Sequence, residues 1–270
     1  MLTRPVNVVI SMLSILVAAV ICGSTGIDTR IIAACLSGGL ITAAANTIND
    51  FFDIEIDRIN KPNRPLPAGM VSATAALVYA FFLFAAGIAA ALFVNKAAVI
   101  IAALSSVLLY FYSARLKRTV IFGNLVVSVT TALAFIYGGI AAGYIKNAII
   151  PAVFAFFMHF GREIIKDMED VQGDEQQNAL TLPVRYGLAP ARRLVTVTFV
   201  LLFLLTVIPY AAGIYGLWYL LIVVSGVNTV LLYTMIKLWR KTTRASFSQL
   251  STLLKADMMI GLLAIFAGRW

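Results

Sequence analysis

Six aspartates in this chain fall into two sets with one spacing. The run NDFFDIEID at 49–57 carries Asp50, Asp53 and Asp57, and DMEDVQGD at 167–174 carries Asp167, Asp170 and Asp174. Both read D-x-x-D-x-x-x-D. At about 100° per residue, positions i, i+3 and i+7 share one helix face. Three like charges on one face repel unless a cation joins them. Carboxylate oxygens with no His or Cys nearby suit Mg2+ rather than zinc, and such a magnesium completes its shell with water and substrate phosphates. Asn49, Asp50, Asp53, Asp57, Asp167, Asp170 and Asp174 are therefore the candidate metal ligands, and the six aspartates the candidate catalytic residues. Solvated acidic helix ends are the plain alternative for one trio; the repetition argues against it for two.

Basic side chains accompany both sets. RINKPNRPLPAG follows the first, placing Arg58, Lys61 and Arg64 among Pro62, Pro65 and Pro67. Three prolines in so short a run forbid continued helix and fix an irregular loop. Guanidinium and ammonium groups there would hold phosphate oxygens and stabilise a departing diphosphate. Arg162 and Lys166 precede the second set, and YFYSARLKR at 110–118 supplies Tyr112 and Lys117. Arg4, Asn46 and Asn49 complete the candidate substrate-binding group. Tyrosines at a helix end also serve as interfacial anchors. His159 is expected to make a structural hydrogen bond rather than act in catalysis.

These residues must be positioned by greasy helices. The 270 residues are 61% apolar, against about 45–50% in ordinary soluble domains. The mean hydropathy is +0.94. Apolar runs long enough to cross a bilayer fall at about 6–22, 30–48, 71–94, 96–112, 120–142, 147–165, 191–211, 215–236 and 249–268. The expected fold class is all-α, a polytopic membrane protein of about nine transmembrane helices, in one domain spanning residues 1–270. Its polar cap loops are expected at about 49–70 and 166–190, which hold most of the acidic residues. With nine spans, all but four of the 21 Lys and Arg lie on the face of the N-terminus; the exceptions are Arg30, Lys96, Lys146 and Arg269. Enrichment of basic residues in cytoplasmic loops places the N-terminus and both acidic runs on the cytoplasmic side of the cell membrane. The formal charge of +9 follows from this topology and from attraction to anionic lipid; no nucleic-acid motif is present. Cys22 and Cys35 lie in apolar runs and read as free thiols.

NDFFDIEIDRINKPNRPLPAG resembles the first motif of the UbiA superfamily of intramembrane prenyltransferases, and DMEDVQGD resembles its second, D-x-x-x-D, carried by Asp170 and Asp174. Within the superfamily, FGREIIKDMEDVQGDEQQNALTLPVRYG is most similar to the archaeal digeranylgeranylglyceryl phosphate synthases. One departure stands: the Y-x-x-x-K motif is absent at that spacing, since Tyr112 and Lys117 are five apart. The resemblance implies a helical bundle around a central cavity open to lipid, with Mg2+ as cofactor and the Asp motifs binding an isoprenyl diphosphate. For that branch it implies geranylgeranyl diphosphate as donor and the lipid geranylgeranylglyceryl phosphate as acceptor. The product would carry the second ether link of archaeal membrane lipid. Aromatic faces such as Phe135 or Tyr137 would shield an allylic cation.

Several rivals make different demands. A prenyltransferase of quinone, haem or chlorophyll pathways would share both motifs and take an aromatic acceptor. A cation transporter needs carboxylates at mid-span, whereas those here cluster at span ends beside basic loops. A scaffold leaves the paired aspartates unexplained, and the D-G-x-x-A-R element of a CDP-alcohol phosphotransferase is absent.

Overall fold

The computed structural model describes residues 2–24, 26, 28–176, 178–240 and 243–268, without the side chains of residues 59 and 60. Lys241 and Arg269 of the charge count lie outside the described residues. The elements of the described residues are all helical: α1 Pro5–Ile21, α2 Thr29–Phe52, α3 Ile54–Asn60, α4 Ala73–Ala91, α5 Lys96–Ala114, α6 Phe122–Ala141, α7 Ile149–Gln176, α8 Leu182–Tyr186, α9 Leu188–Ala211, α10 Leu217–Ile222, α11 Thr229–Leu238 and α12 Arg244–Ala267. A π-helical stretch, Val223–Asn228, joins α10 to α11.

Among the described residues eight helices, including the continuous run Leu217–Leu238, are long and apolar enough to cross a membrane. The ninth expected span is α1, whose 17 residues rise about 26 Å, short of the roughly 30 Å hydrocarbon core. The abrupt division between α4 and α5 has a local cause. Asn95 sits in extended backbone and its side chain accepts from Ala98 N at 2.9 Å, starting α5. Asp28 and Ser72 cap α2 and α4 in the same way.

Two expectations about the acidic runs are corrected. The first trio does not sit on one unbroken helix. α2 ends at Phe52, and Asp53 (φ −99°, ψ 7°) is both the last cap of α2 and the first of α3. The second run, expected within a cap loop at about 166–190, is helical to Gln176, so all three of its aspartates ride on α7. Gly173 costs a helix only about 1 kcal/mol, which the long α7 absorbs.

The chain divides into two compact units. The first comprises residues 1–116 and 133–149, the second residues 117–132 and 150–270. In the first, α2 is central and packs on α1, α4 and α5. Its core joins Ile15, Ala34, Ile41, Ala44, Ile48 and Phe84. Gly138 lets the chain pass close to α1, since a Cβ there would sit 2.2 Å from the Ile15 carbonyl oxygen. Tyr137 and Phe135 are buried, and the Tyr137 hydroxyl donates to Ser37 Oγ at 2.8 Å. The core of the second unit joins Ile164 and Ile165 of α7 to Val195, Phe199, Leu231 and Leu254. Gly161 makes room there for the Phe199 ring. Both cysteines are free thiols, as expected.

Candidate active site

The first cluster is assembled where α2 ends. Asn46 donates to Thr3 O at 2.9 Å and accepts from Asn7 Nδ2 at 3.3 Å, tying the chain start to α2. That tie positions Arg4, which takes a left-handed backbone (φ 47°) and donates from Nη2 to Asp50 Oδ1. From the other side Arg64 donates to Asp57 Oδ2 at 2.6 Å and to Asp50 Oδ1 at 3.2 Å. The proline loop makes this reach possible. Arg64 N bonds Lys61 O and Ala68 N bonds Arg64 O, and Gly69 ends the turn at φ 71°.

Asp50 and Asp57 are each only 3% exposed. Burial raises the Asp57 pKa above its ordinary value, and the neighbouring Arg64 offsets part of that rise by hydrogen bond and charge. Removing charge from water is repaid only where partners replace the water, and here the arginines do so. Asn49 donates to Asp53 Oδ2 at 2.9 Å across the helix break. Arg58 and Lys61 are exposed; Arg58 grips Glu55 through two 2.9 Å contacts.

The second cluster lies along α7. Asp167 accepts from Asn124 Nδ2 at 2.7 Å, and Asp174 accepts from Thr181 Oγ1 at 3.0 Å. Asp170 is half exposed, with Arg244 3.9 Å away. Glu163, 6% exposed, accepts from Arg162 Nη1 at 3.0 Å and from Lys166 Nζ at 2.7 Å. Arg162 Nε also donates to Ser251 O of α12 at 3.0 Å. His159 contacts Ala155 O through Nδ1 at 3.1 Å, the structural bond expected of it.

The structure thus gathers Arg4, Asn46, Asn49, Asp50, Asp53, Asp57 and Arg64 into one cluster, and Arg162, Lys166, Asp167, Asp170 and Asp174 along one helix. Tyr112, in the last turn of α5, belongs to the first unit; Lys117, in the 3-10 turn Leu116–Arg118, belongs to the second. Three polar residues had been given no role: Asn124, Glu163 and Thr181. Glu163 was visible three residues before Lys166, at helix-pairing distance; nothing local marks Asn124 or Thr181. A fourth, Asp257, lies in mid-span on α12, 1% exposed, and neither of its oxygens accepts a hydrogen bond among the described residues. It is the mid-span carboxylate that the sequence reading had said was lacking.

Among the described residues no three His, Cys, Asp or Glu side chains converge as a ready-made metal set. The donors nevertheless fit magnesium. They are oxygens only, and magnesium is commonly held by one or two carboxylates with substrate phosphates and water supplying the rest. Asn49, Asp50, Asp53 and Asp57 in the first cluster and Asp167, Asp170 and Asp174 in the second are the residues suited to hold it.

Residues 11–256 match the model of the UbiA prenyltransferase family. The digeranylgeranylglyceryl phosphate synthase of Methanopyrus kandleri is 36% identical over 266 residues, 98% of this chain and 97% of that protein. That of Methanothermobacter thermautotrophicus is 35% identical, covering 98% of this chain and 93% of the other. A solved structure of a digeranylgeranylglyceryl phosphate synthase superposes with a TM-score of 0.82 at 32% identity, covering 99% of this chain and 96% of that one. A UbiA homologue from Archaeoglobus fulgidus bound to GPP and Mg2+ shares the fold, with a TM-score of 0.71 at 20% identity over 98% of each chain. The acidic runs, the helical architecture and these likenesses over nearly the full length agree: this chain belongs to the UbiA prenyltransferase family.

Proposed function

We propose that this protein transfers the geranylgeranyl group of geranylgeranyl diphosphate to the free hydroxyl of geranylgeranylglyceryl phosphate, with Mg2+, at the cytoplasmic side of the cell membrane. The observation that carries the reading is similarity at 36% identity over 98% of the chain to a digeranylgeranylglyceryl phosphate synthase. The paired carboxylate clusters, each laced with Arg or Lys, support it.

The chemistry follows from residue types. Bound magnesium would offset negative charge on the leaving diphosphate. Lys61, Arg64, Lys117 and Lys166 hold diphosphate oxygens as the allylic C–O bond breaks, and Asn49 orients Asp53. The apolar helices keep water from the resulting carbocation. The acceptor hydroxyl oxygen then bonds to that carbon, and its proton passes to a carboxylate or to the released diphosphate. The products are an ether, diphosphate and a proton. Arg4, which donates to Asp50, is the candidate to meet the acceptor's phosphate.

Radiolabelled geranylgeranyl diphosphate offered with a panel of acceptors tests the reading. The panel is geranylgeranylglyceryl phosphate, para-hydroxybenzoate, a naphthoate, haem and chlorophyllide. Label in the glyceryl ether alone is the expected result. Label in an aromatic acceptor alone would move the chain to another branch of its family.

A further inference from the structure

Glu163 has no place in the scheme so far, yet it is the most enclosed acidic group of the second cluster to contact two cations. An isolated carboxylate with 6% exposure would carry a large desolvation cost. Both of its oxygens are instead bonded to cations: Oε1 accepts from Arg162 and Oε2 from Lys166, at 3.0 and 2.7 Å. Arg162 and Lys166 are four residues apart, one helical turn, where two cations repel one another. A carboxylate bonded to both removes that repulsion and fixes each head group.

Neither cation is used up by this bond. Lys166 has three N–H donors, one of which goes to Glu163, and 38% of its side chain remains exposed. Arg162 is held more firmly. Its Nε donates to the Ser251 carbonyl and its Nη1 to Glu163, leaving the rest of the fork unspent, and its side chain is 16% exposed. The pattern is one of two cations locked at one end, with donors left over at the other.

We propose that Glu163 is a positioning residue: it presets the Lys166 ammonium and the Arg162 guanidinium to receive the oxygens of the prenyl diphosphate. This rests on the function proposed above. A purely structural Glu163 would serve only to neutralise two cations and hold α7 to α12. The two roles separate in a double-mutant cycle, because a positioning residue acts through its partner and a structural one does not.

The experiment uses the full chain in lipid nanodiscs with Mg2+, measuring prenyl transfer and, separately, binding of inorganic pyrophosphate by calorimetry. Glu163→Gln keeps the shape but not the charge. It should raise KM for the prenyl diphosphate and weaken pyrophosphate binding about tenfold, with kcat lowered less and KM for the acceptor unmoved. In a Lys166→Ala background the same change should cost clearly less, because Arg162 alone remains to be positioned. If Glu163→Gln unfolds in the assay range, Glu163→Asp carries the test. It keeps the charge but is one methylene too short to reach both cations, and should raise the same KM severalfold. An unchanged KM in an active enzyme, or an equal loss in both backgrounds, overturns the proposal alone. A wild-type chain that transfers no prenyl group overturns the functional reading, and this proposal with it.

Discussion

Arg64 donates to Asp57, seven positions earlier in the chain, at 2.6 Å, and the same guanidinium nitrogen reaches Asp50 at 3.2 Å. One cation therefore holds together two of the three aspartates of the first run. Removing it leaves both carboxylates enclosed with less compensation. Arg64→Ala should destabilise the protein by about 3 kcal/mol. Arg64→Lys keeps the charge but loses the planar fork, and should fall between. Thermal unfolding of the purified variants in one detergent checks the order.

The remaining aspartate of that run behaves differently. Asp53 sits at the break between α2 and α3, and Asp170 is half exposed on α7. Neither supports a core. Asp53→Ala and Asp170→Ala should each abolish prenyl transfer while shifting the unfolding temperature by only a few degrees. Excess chelator should do the same to the wild type, with activity restored by Mg2+. Full activity in either variant would remove the metal role.

Asp57 gives a pH dependence of definite sign. Burial raises its pKa above the ordinary 3.8, with Arg64 offsetting part of the rise. A carboxyl whose folded pKa is raised binds its proton more tightly in the folded state. Its relative contribution to stability is greatest below the unfolded value and is lost as pH rises through the folded value. In chelator, Asp57→Asn should therefore gain on the wild type as pH climbs above 3.8 and through the raised folded value. Parallel stability curves for the two proteins would contradict the placement of Asp57.

Asp257 tests the cost of an unpartnered polar group in a membrane span. Its oxygens accept no hydrogen bond among the described residues and it is 1% exposed. Asp257→Leu keeps the branched shape and removes both unpartnered oxygens. It should raise stability by about 1–3 kcal/mol, read as a higher unfolding temperature.

The parts of this structure legible in the sequence are those written in local chemistry. The division between the 71–94 and 96–112 runs was legible because polar Asn95 and Lys96 interrupt an otherwise apolar stretch. The acidic runs stood out because carboxylates are scarce in an apolar chain. What stayed hidden depends on partners distant in sequence. Asn124 meets Asp167 over 43 residues, and Arg4 meets Asp50 over 46. No spacing rule reaches that far. The break at Asp53 was missed for another reason: a uniform 100° per residue assumes an unbroken helix, and the assumption fails where one residue caps two helices. Asp257 was passed over because one carboxylate in a long apolar run does not disturb a hydropathy window.

The most direct test of the central claim is transfer of labelled geranylgeranyl from its diphosphate to geranylgeranylglyceryl phosphate by the purified protein, with and without Mg2+. Formation of the doubly alkylated glyceryl phosphate only when magnesium is present is the result predicted. Undiminished product in chelator, or no product from this acceptor under any condition, would contradict it.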